Sequence, residues 1–134
     1  TLLAGMRLLL TEDNEINQQI AVELLEGVVA TVAVANNGRE AVETLDREPT
    51  SFDVVLMDLQ MPEMDGYQAT KRIRSDERFA KLPIVAMTAH ATTEEKQSCL
   101  AAGMNGHVGK PVEPNDLYVT LMQWLLAAGS PTPG

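Results

Sequence analysis

Five polar residues at four places in the chain could carry chemistry if folding brings them together. They are an adjacent acidic pair, a lone acid, a hydroxyl and an ammonium: Glu12, Asp13, Asp58, Thr88 and Lys110. Three carboxylates at close range repel one another, and a hard divalent cation such as Mg²⁺ relieves that repulsion. A carboxylate can also be the nucleophile in phosphoryl transfer, and a hydroxyl and an ammonium can stabilise the phosphoryl oxygens. Together these residue types predict a metal-assisted phosphoryl-acceptor site.

Each of these residues, taken alone, has a simpler explanation. An acid or a threonine after a strand commonly caps the next helix. The Lys110-Pro111 pair is typical of a surface turn. The five residues therefore indicate a site only if all of them follow strands of one sheet.

The chain alternates short apolar runs with segments of helical periodicity. Strands are predicted at 6–11, 30–35, 52–58, 83–87 and 105–109. Helices are predicted at 16–25 ending at Gly27, at 39–48, at 66–76, after a cap at Thr92 or Thr93, and from 115 or 116 onward. Their apolar positions are Ile16, Ile20, Ala21, Leu24 and Leu25 in the first, Ala41, Val42 and Leu45 in the second, and Leu117, Leu121, Trp124 and Leu125 in the last. Five βα units in succession predict a parallel sheet covered by helices on both faces.

In such a sheet, ligands bind beyond the carboxyl ends of the strands. Glu12 and Asp13 follow the first predicted strand, Asp58 ends the third, Thr88 follows the fourth and Lys110 follows the fifth. We therefore expect all five residues to face one crevice.

The composition limits the function classes. A length of 134 residues fits one domain, and we expect it at 6–126, between a linker at 1–5 and a tail or linker at 127–134. The net charge of −9 argues against nucleic acid or anionic lipid as a partner. Cys99 is the sole cysteine, so no internal disulfide can form and a reducing compartment is expected. We see no signal peptide and no apolar run long enough to span a membrane.

Residues 6–126 resemble the receiver domains of two-component response regulators. The matching stretches are LLLTEDN (8–14), VVLMDLQMPEMDG (54–66), PIVAMTA (83–89) and GMNGHVGKPV (103–112). The resemblance implies a doubly wound (βα)5 α/β fold of the flavodoxin-like type, with strand order 2-1-3-4-5. It also implies that Asp58 is the phosphoacceptor. The implied Mg²⁺ ligands are Glu12, Asp13, Asp58 and the backbone carbonyl of Gln60.

The same resemblance implies a conformational switch. Thr88 corresponds to the switch hydroxyl and Lys110 to the lysine beside the phosphoryl group, with a cis Lys110-Pro111 bond. His107 occupies the position where receivers usually carry a tyrosine or phenylalanine that changes rotamer. The aromatic switch therefore stays open, and we expect His107 to be a satisfied polar residue at a strand edge.

The stretches LAGMRLLLTEDNEINQQIA (3–21) and AMTAHA (86–91) are similar to receivers of hybrid sensor histidine kinases. This implies phosphoryl transfer from a phosphohistidine of a kinase domain, and onward transfer to a histidine phosphotransfer domain. Phosphorylation would switch the surface of helix 4, strand 5 and helix 5. We expect a cytoplasmic location, tethered to a membrane-anchored parent without direct membrane contact, and leave room for a weak homodimer. Receivers catalyse their own phosphorylation and dephosphorylation, so whether this chain counts as an enzyme stays open.

Three alternatives compete with this interpretation. The first is a receiver that binds partners independently of phosphorylation. The presence of all three acids, the hydroxyl and the ammonium argues against it. The second is an aspartyl-phosphate phosphatase of the haloacid dehalogenase type, which needs a second acid two residues after the nucleophile; here that residue is Gln60. The third is a nucleotide-binding module, for which the sequence contains neither glycine-rich phosphate-binding motif.

Overall fold

A computed structural model describes residues 6–26, 31–49, 51–61, 64–89, 92–109 and 114–127, with side chains through residue 123. The strands are β1 (Arg7–Thr11), β2 (Thr31–Ala35), β3 (Val54–Asp58), β4 (Ile84–Thr88) and β5 (Gly106–Gly109). The helices are α1 (Glu15–Glu26), α2 (Gly38–Arg47), α3 (Gly66–Arg74), α4 (Thr93–Ala102) and α5 (Pro114–Ala127), with a 3-10 turn at Glu77–Phe79. Across these described ranges, no helix combines the length and the apolar character that crossing a bilayer would require.

The five strands form one parallel sheet in the order β2-β1-β3-β4-β5, which confirms the predicted fold. β3 is central, and its register fixes the positions of the strand ends. Thr11 lies opposite Met57, and Asp58 lies opposite Met87. The carboxyl ends of β1, β3 and β4 therefore lie side by side at one edge.

Two apolar layers enclose the sheet. Alternate residues of β3 point to opposite layers: Val54 and Leu56 pack toward α1 and α5, while Val55 and Met57 pack toward α2, α3 and α4. All five residues of β3 are buried. This explains the unbroken apolar run before Asp58, because a central parallel strand has no solvent face. The strand is a rigid support for the residue at its end.

The helix starts follow capping chemistry. Asn37 caps α2, and Asp65 and Gln68 form a reciprocal capping box on α3. Thr92 caps α4, which confirms one of the two predicted positions for that cap. The prediction for the end of α3 was wrong, since the helix stops at Arg74 rather than 76. Asp76 instead accepts a hydrogen bond from the backbone N–H of Arg78 and caps the 3-10 turn.

The apolar stripe of α1 agrees with the prediction only in part. The helix buries Ala21 and Leu25 as predicted, whereas Ile16 and Ile20 are 69% and 46% exposed. The two sets are offset by one residue, which rotates the face by about 100° on a helix of 3.6 residues per turn. Residues 16 and 20 therefore project to solvent near the start of the helix. In α2 and α5, by contrast, Ala41, Leu45, Leu117 and Leu121 are buried as predicted.

Arg74 joins the end of α3 to the segments around β4 and β5. Its guanidinium donates to the carbonyls of Gly103 and Phe79 and to Oδ1 of Asn105, at 2.9, 2.6 and 2.7 Å. Asn105 Oδ1 also accepts from the backbone N–H of Ile84. Burial lowers the pKa of Arg74, and the three acceptors compensate for the lost hydration.

Candidate functional site

The three predicted acids meet at the carboxyl edge of the sheet. Glu12 and Asp13 follow β1, and Asp58 ends the adjacent strand β3. One carboxylate oxygen from each lies within 4.8 Å of the other two. Glu12 and Asp58 are each only 2% exposed, whereas Asp13 is exposed. The cluster thus has two carboxylates in the floor and one at the rim.

Backbone groups orient the two buried carboxylates. The N–H of Asn14 donates to Oε2 of Glu12 at 3.1 Å, and the N–H of Gln60 approaches Oδ1 of Asp58 at 3.3 Å. The backbone of Glu12 is fixed in turn, because its N–H donates to the carbonyl of Ala35 on β2. Asn14 Oδ1 also accepts from the N–H of Asn17 at the start of α1. The site is therefore built from the strand ends and from the first turn of the helix that follows.

The donor set fits a magnesium ion. Mg²⁺ binds oxygen ligands at about 2.1 Å in an octahedron, so opposite ligands are about 4.2 Å apart. The carboxylate oxygens of the three acids all lie within 4.8 Å of one another, which is compatible with their binding one ion. Glu12, Asp13 and Asp58 can therefore hold the ion while leaving other positions to water or phosphate.

Gly66 packs directly against the backbone of the central acid. Its N–H donates to the carbonyl of Leu59 at 3.0 Å. A Cβ at this position would lie 2.4 Å from the carbonyl oxygen of Asp58 and 2.9 Å from Cα of Leu59. The sequence predicts Gly66 only as the start of a helix, because no local pattern indicates which backbone this residue approaches.

The hydroxyl of Thr88 lies at the end of β4 and donates to Oε1 of Glu95 at 2.6 Å. Oε2 of the same carboxylate accepts from the hydroxyl of Tyr67 on α3 at 2.9 Å. The sequence gives no signal for the contact between Thr88 and Glu95, because it forms between a strand end and a helix that only folding brings together.

The remaining predicted residues are placed as follows. Gln60 is exposed, and its backbone carbonyl as a metal ligand stays a prediction. Lys110, together with the Lys110-Pro111 bond, lies outside the described residues. His107 is half-buried in β5 opposite Ala86. Burial, with a smaller contribution from Lys96, lowers the pKa of His107 below its ordinary value.

Known proteins are similar to this chain in both sequence and fold. The chain is 41% identical over 131 residues to the sensor protein GacS of Pseudomonas syringae pv. syringae, covering 95% of this chain and 14% of that protein. The receiver domain of sensor histidine kinase PA1611 from Pseudomonas aeruginosa, solved with a magnesium ion in its active site cleft, superimposes with a TM-score of 0.81 at 36% identity. That match covers 91% of this chain and 98% of the other.

A third match involves a phosphotransfer complex. It is a chain of the Saccharomyces cerevisiae co-crystal structure of the histidine phosphotransfer protein Ypd1 with the receiver domain of the response regulator Ssk1. The TM-score is 0.84 at 30% identity, with 92% of this chain and 91% of that chain covered.

The chain spans 6–15% of the length of the first curated relatives it matches, which are sensor and hybrid histidine kinases. The similarity therefore concerns one module of those proteins. Residues 8–122 match the pattern of the response regulator receiver domain. With the sheet order and the acidic cluster at its carboxyl edge, this match shows that the chain belongs to the response regulator receiver domain family.

Proposed function

We propose that this receiver domain accepts a phosphoryl group from a phosphohistidine on Asp58, in a reaction that depends on Mg²⁺. The observation that carries the proposal is the acidic cluster, in which the oxygens of Glu12, Asp13 and Asp58 converge within 4.8 Å. Asp58 is nearly buried at the end of a fully buried strand, so its carboxylate is held in one place. Such positioning is the main requirement for catalysis of phosphoryl transfer.

The transfer breaks one bond and forms another. A carboxylate oxygen of Asp58 attacks phosphorus, and the phosphorus–nitrogen bond of the phosphohistidine breaks. The electron pair returns to the ring nitrogen, and the ring leaves as neutral imidazole because its other nitrogen carries the proton. Bound Mg²⁺ supplies charge neutralisation for the phosphoryl oxygens. We assign Lys110 a similar role as a point charge and Thr88 the role of hydrogen-bond donor to a phosphoryl oxygen.

The partner that supplies the phosphoryl group is a histidine kinase domain, and a histidine phosphotransfer domain receives it onward. The similarity to sensor and hybrid histidine kinases supports the first partner. The likeness to a chain of the Ypd1–Ssk1 complex supports the second. We infer that the chain is the receiver module of a hybrid kinase and that it works on the cytoplasmic side of the membrane.

The exposed isoleucines of α1 offer a docking surface for that histidine-bearing partner. Ile16 and Ile20 lie in the first two turns of α1, within a few residues of Asp13. A partner bound here would bring its histidine close to Asp58 while burying apolar surface. We expect Ile16→Asp to slow phosphoryl transfer from a phosphotransfer protein at least tenfold, by loss of apolar burial at the interface. Phosphorylation by a small donor should be unchanged; an equal loss with both donors would contradict the docking role.

Phosphorylation would change the surface formed by α4, β5 and α5. Thr88 contacts α4 through Glu95, and Ala86 and Thr88 of β4 lie opposite His107 and Gly109 of β5. A change at Thr88 therefore has two direct routes to this surface. The phosphoryl group would shift the balance between two conformations of this surface, and partners would respond to that shift.

The proposal is tested with a small phosphodonor and Mg²⁺, followed by mass spectrometry. We expect an acid-stable, base-labile phosphoryl adduct in the wild type and none in Asp58→Asn. Asp46→Asn, which changes an exposed acid on α2, is the matched control and should keep the adduct. Absence of the adduct in the wild type, or its persistence in Asp58→Asn, would overturn the assignment.

A further inference from the structure

The carboxylate of Glu95 binds two hydroxyls that come from different layers of the fold. Oε1 accepts from Thr88 at the end of β4 at 2.6 Å, and Oε2 accepts from Tyr67 on α3 at 2.9 Å. The backbone N–H of Glu95 donates to Oγ1 of Thr92, the cap of α4. Glu95 therefore joins the strand end at the candidate site to α3 and α4, two of the three helices on that side of the sheet.

The bond from Thr88 matters because a hydroxyl has a single proton to donate. While Thr88 donates to Glu95, it cannot donate to a phosphoryl oxygen on Asp58. The contact is short and the acceptor is a carboxylate, which places it in the stronger, charge-assisted class of hydrogen bonds. The structure thus has the Thr88 hydroxyl engaged by a competing acceptor.

We propose that Glu95 is a positioning residue that holds the Thr88 hydroxyl away from the phosphoryl site until Asp58 is phosphorylated. This inference rests on the proposed function of Asp58. When the phosphoryl group is present, the Thr88 hydroxyl exchanges one anionic acceptor for another. The first turn of α4 then loses its bond to β4, which links the chemistry at Asp58 to the position of that helix.

Tyr67 is the second hydroxyl donor to Glu95; we call the contact of Glu95 with Thr88 and Tyr67 the latch. Burial, and then its bond to Glu95, raise the pKa of the Tyr67 hydroxyl above its ordinary value, so the phenol keeps its proton and remains a donor. Because Tyr67 belongs to α3, which begins against the backbone of Asp58, the carboxylate is fixed from the side of the site as well as from its own helix. After Thr88 leaves, Tyr67 still donates to Glu95, so the exchange leaves this half-buried carboxylate with a donor.

The test measures the affinity of the domain for beryllofluoride, a phosphoryl analogue, in the presence of Mg²⁺. Glu95→Gln keeps the shape of the side chain but replaces a charge-assisted bond by a neutral one, which is about half as strong. The unphosphorylated state is thereby weakened, and we expect beryllofluoride to bind roughly tenfold more tightly. Glu94→Gln, an exposed neighbour in the same helical turn with the same loss of charge, should leave the affinity unchanged.

Three further measurements separate positioning from a general effect on the fold. In a Thr88→Val background, which has no hydroxyl to release, Glu95→Gln should not change beryllofluoride affinity. Tyr67→Phe removes the donor that Glu95 keeps after Thr88 leaves, so this variant should bind beryllofluoride more weakly than the wild type. Without Mg²⁺ or phosphodonor, the methyl ¹³C resonance of Thr88 should report one rotamer in the wild type and rotamer averaging in Glu95→Gln.

The outcomes distinguish this inference from the proposed function. If the wild type does not bind beryllofluoride, the function proposed for Asp58 fails, whatever the rotamer of Thr88. If the wild type binds but Glu95→Gln and Glu94→Gln have equal affinities, the latch is refuted and the proposed function stands. Unchanged Thr88 rotamer populations in a folded Glu95→Gln would refute it as well.

Discussion

Gly66 is the position where the packing of the fold and the geometry of the acidic site coincide. The replacement Gly66→Ala adds one methyl group, which would lie 2.4 Å from the carbonyl oxygen of Asp58. Ordinary contact between these atoms is about 3.4 Å, so one of them must move by about 1 Å. The obstacle is backbone at the end of a fully buried central strand, which has no rotamer to change.

The expected cost follows from two opposing terms. Overpacking of this kind typically costs about 1–3 kcal/mol, and clashes with backbone are at the upper end. Alanine at the start of a helix regains up to about 1 kcal/mol of helix propensity. We therefore expect the free energy of unfolding to fall by about 2 kcal/mol, which lowers Tm by roughly 8 °C in a domain of this size. The site should also lose Mg²⁺ affinity by about tenfold, since a shift of the Asp58 backbone displaces its carboxylate.

Urea unfolding and calorimetric Mg²⁺ titration measure both effects. Gly109→Ala is the control, because a Cβ there would contact no atom of the described residues within 4 Å. We expect that variant to change the free energy of unfolding by less than about 0.5 kcal/mol. A Gly66→Ala protein with wild-type stability and wild-type Mg²⁺ affinity would refute the reasoning, since it would mean that the backbone at Asp58 yields without cost.

Three further predictions concern stability. Arg74→Met removes three hydrogen bonds from a half-buried network and should lower the free energy of unfolding in urea by about 2–4 kcal/mol. The exposed control Arg72→Met should lower it by less than about 0.5 kcal/mol, and equal losses would contradict a stabilising role of the network. The hydroxyls of Thr70 and Thr11 are fully buried and have no hydrogen-bond partner within the described residues. Thr70→Val removes one of these hydroxyls and should raise the free energy of unfolding by about 1 kcal/mol. A fall in the free energy of unfolding would contradict the absence of a partner. His107 has a lowered pKa in the folded state, so its contribution to stability is present above its ordinary pKa and is lost as pH falls below it. Stability measured from about pH 7 to about pH 5 should decline less steeply in His107→Gln than in the wild type, and identical slopes would contradict the shift.

The sequence was sufficient for the element order and for most of the site. Its alternation of apolar runs and helical periodicity predicts five βα units, and the unbroken run before Asp58 predicts a strand buried on both faces. Parallel strands place their carboxyl ends at one edge, so the meeting of Glu12, Asp13 and Asp58 follows from topology. The physical reason is that binary pattern and chain direction are local properties, which can be read without knowing the contacts.

Helix orientation and helix ends were less predictable. The stripe through Ile16 and Ile20 fits a helical period, but α1 is rotated so that Ala21 and Leu25 are buried. Packing against the sheet chose between two stripes that differ by one residue. Similarly, α3 stops at Arg74 because Asp76 finds a partner in its own turn. Competition between adjacent local structures decided both outcomes.

The sequence by itself determined the chemistry that is available: three carboxylates, a hydroxyl and an ammonium after successive strands. Only the tertiary structure decided which groups restrain them. The engagement of Thr88 by Glu95, the anchoring of Glu95 by Tyr67, and the contact of Gly66 with the backbone of Asp58 each join elements that are separate along the chain. Such contacts depend on distances across packed layers, to which neither residue type nor periodicity gives access. The position of Asp58 at the end of β3 is thus predictable from the sequence, whereas the hydrogen bond from Thr88 to Glu95 is a property of the folded domain.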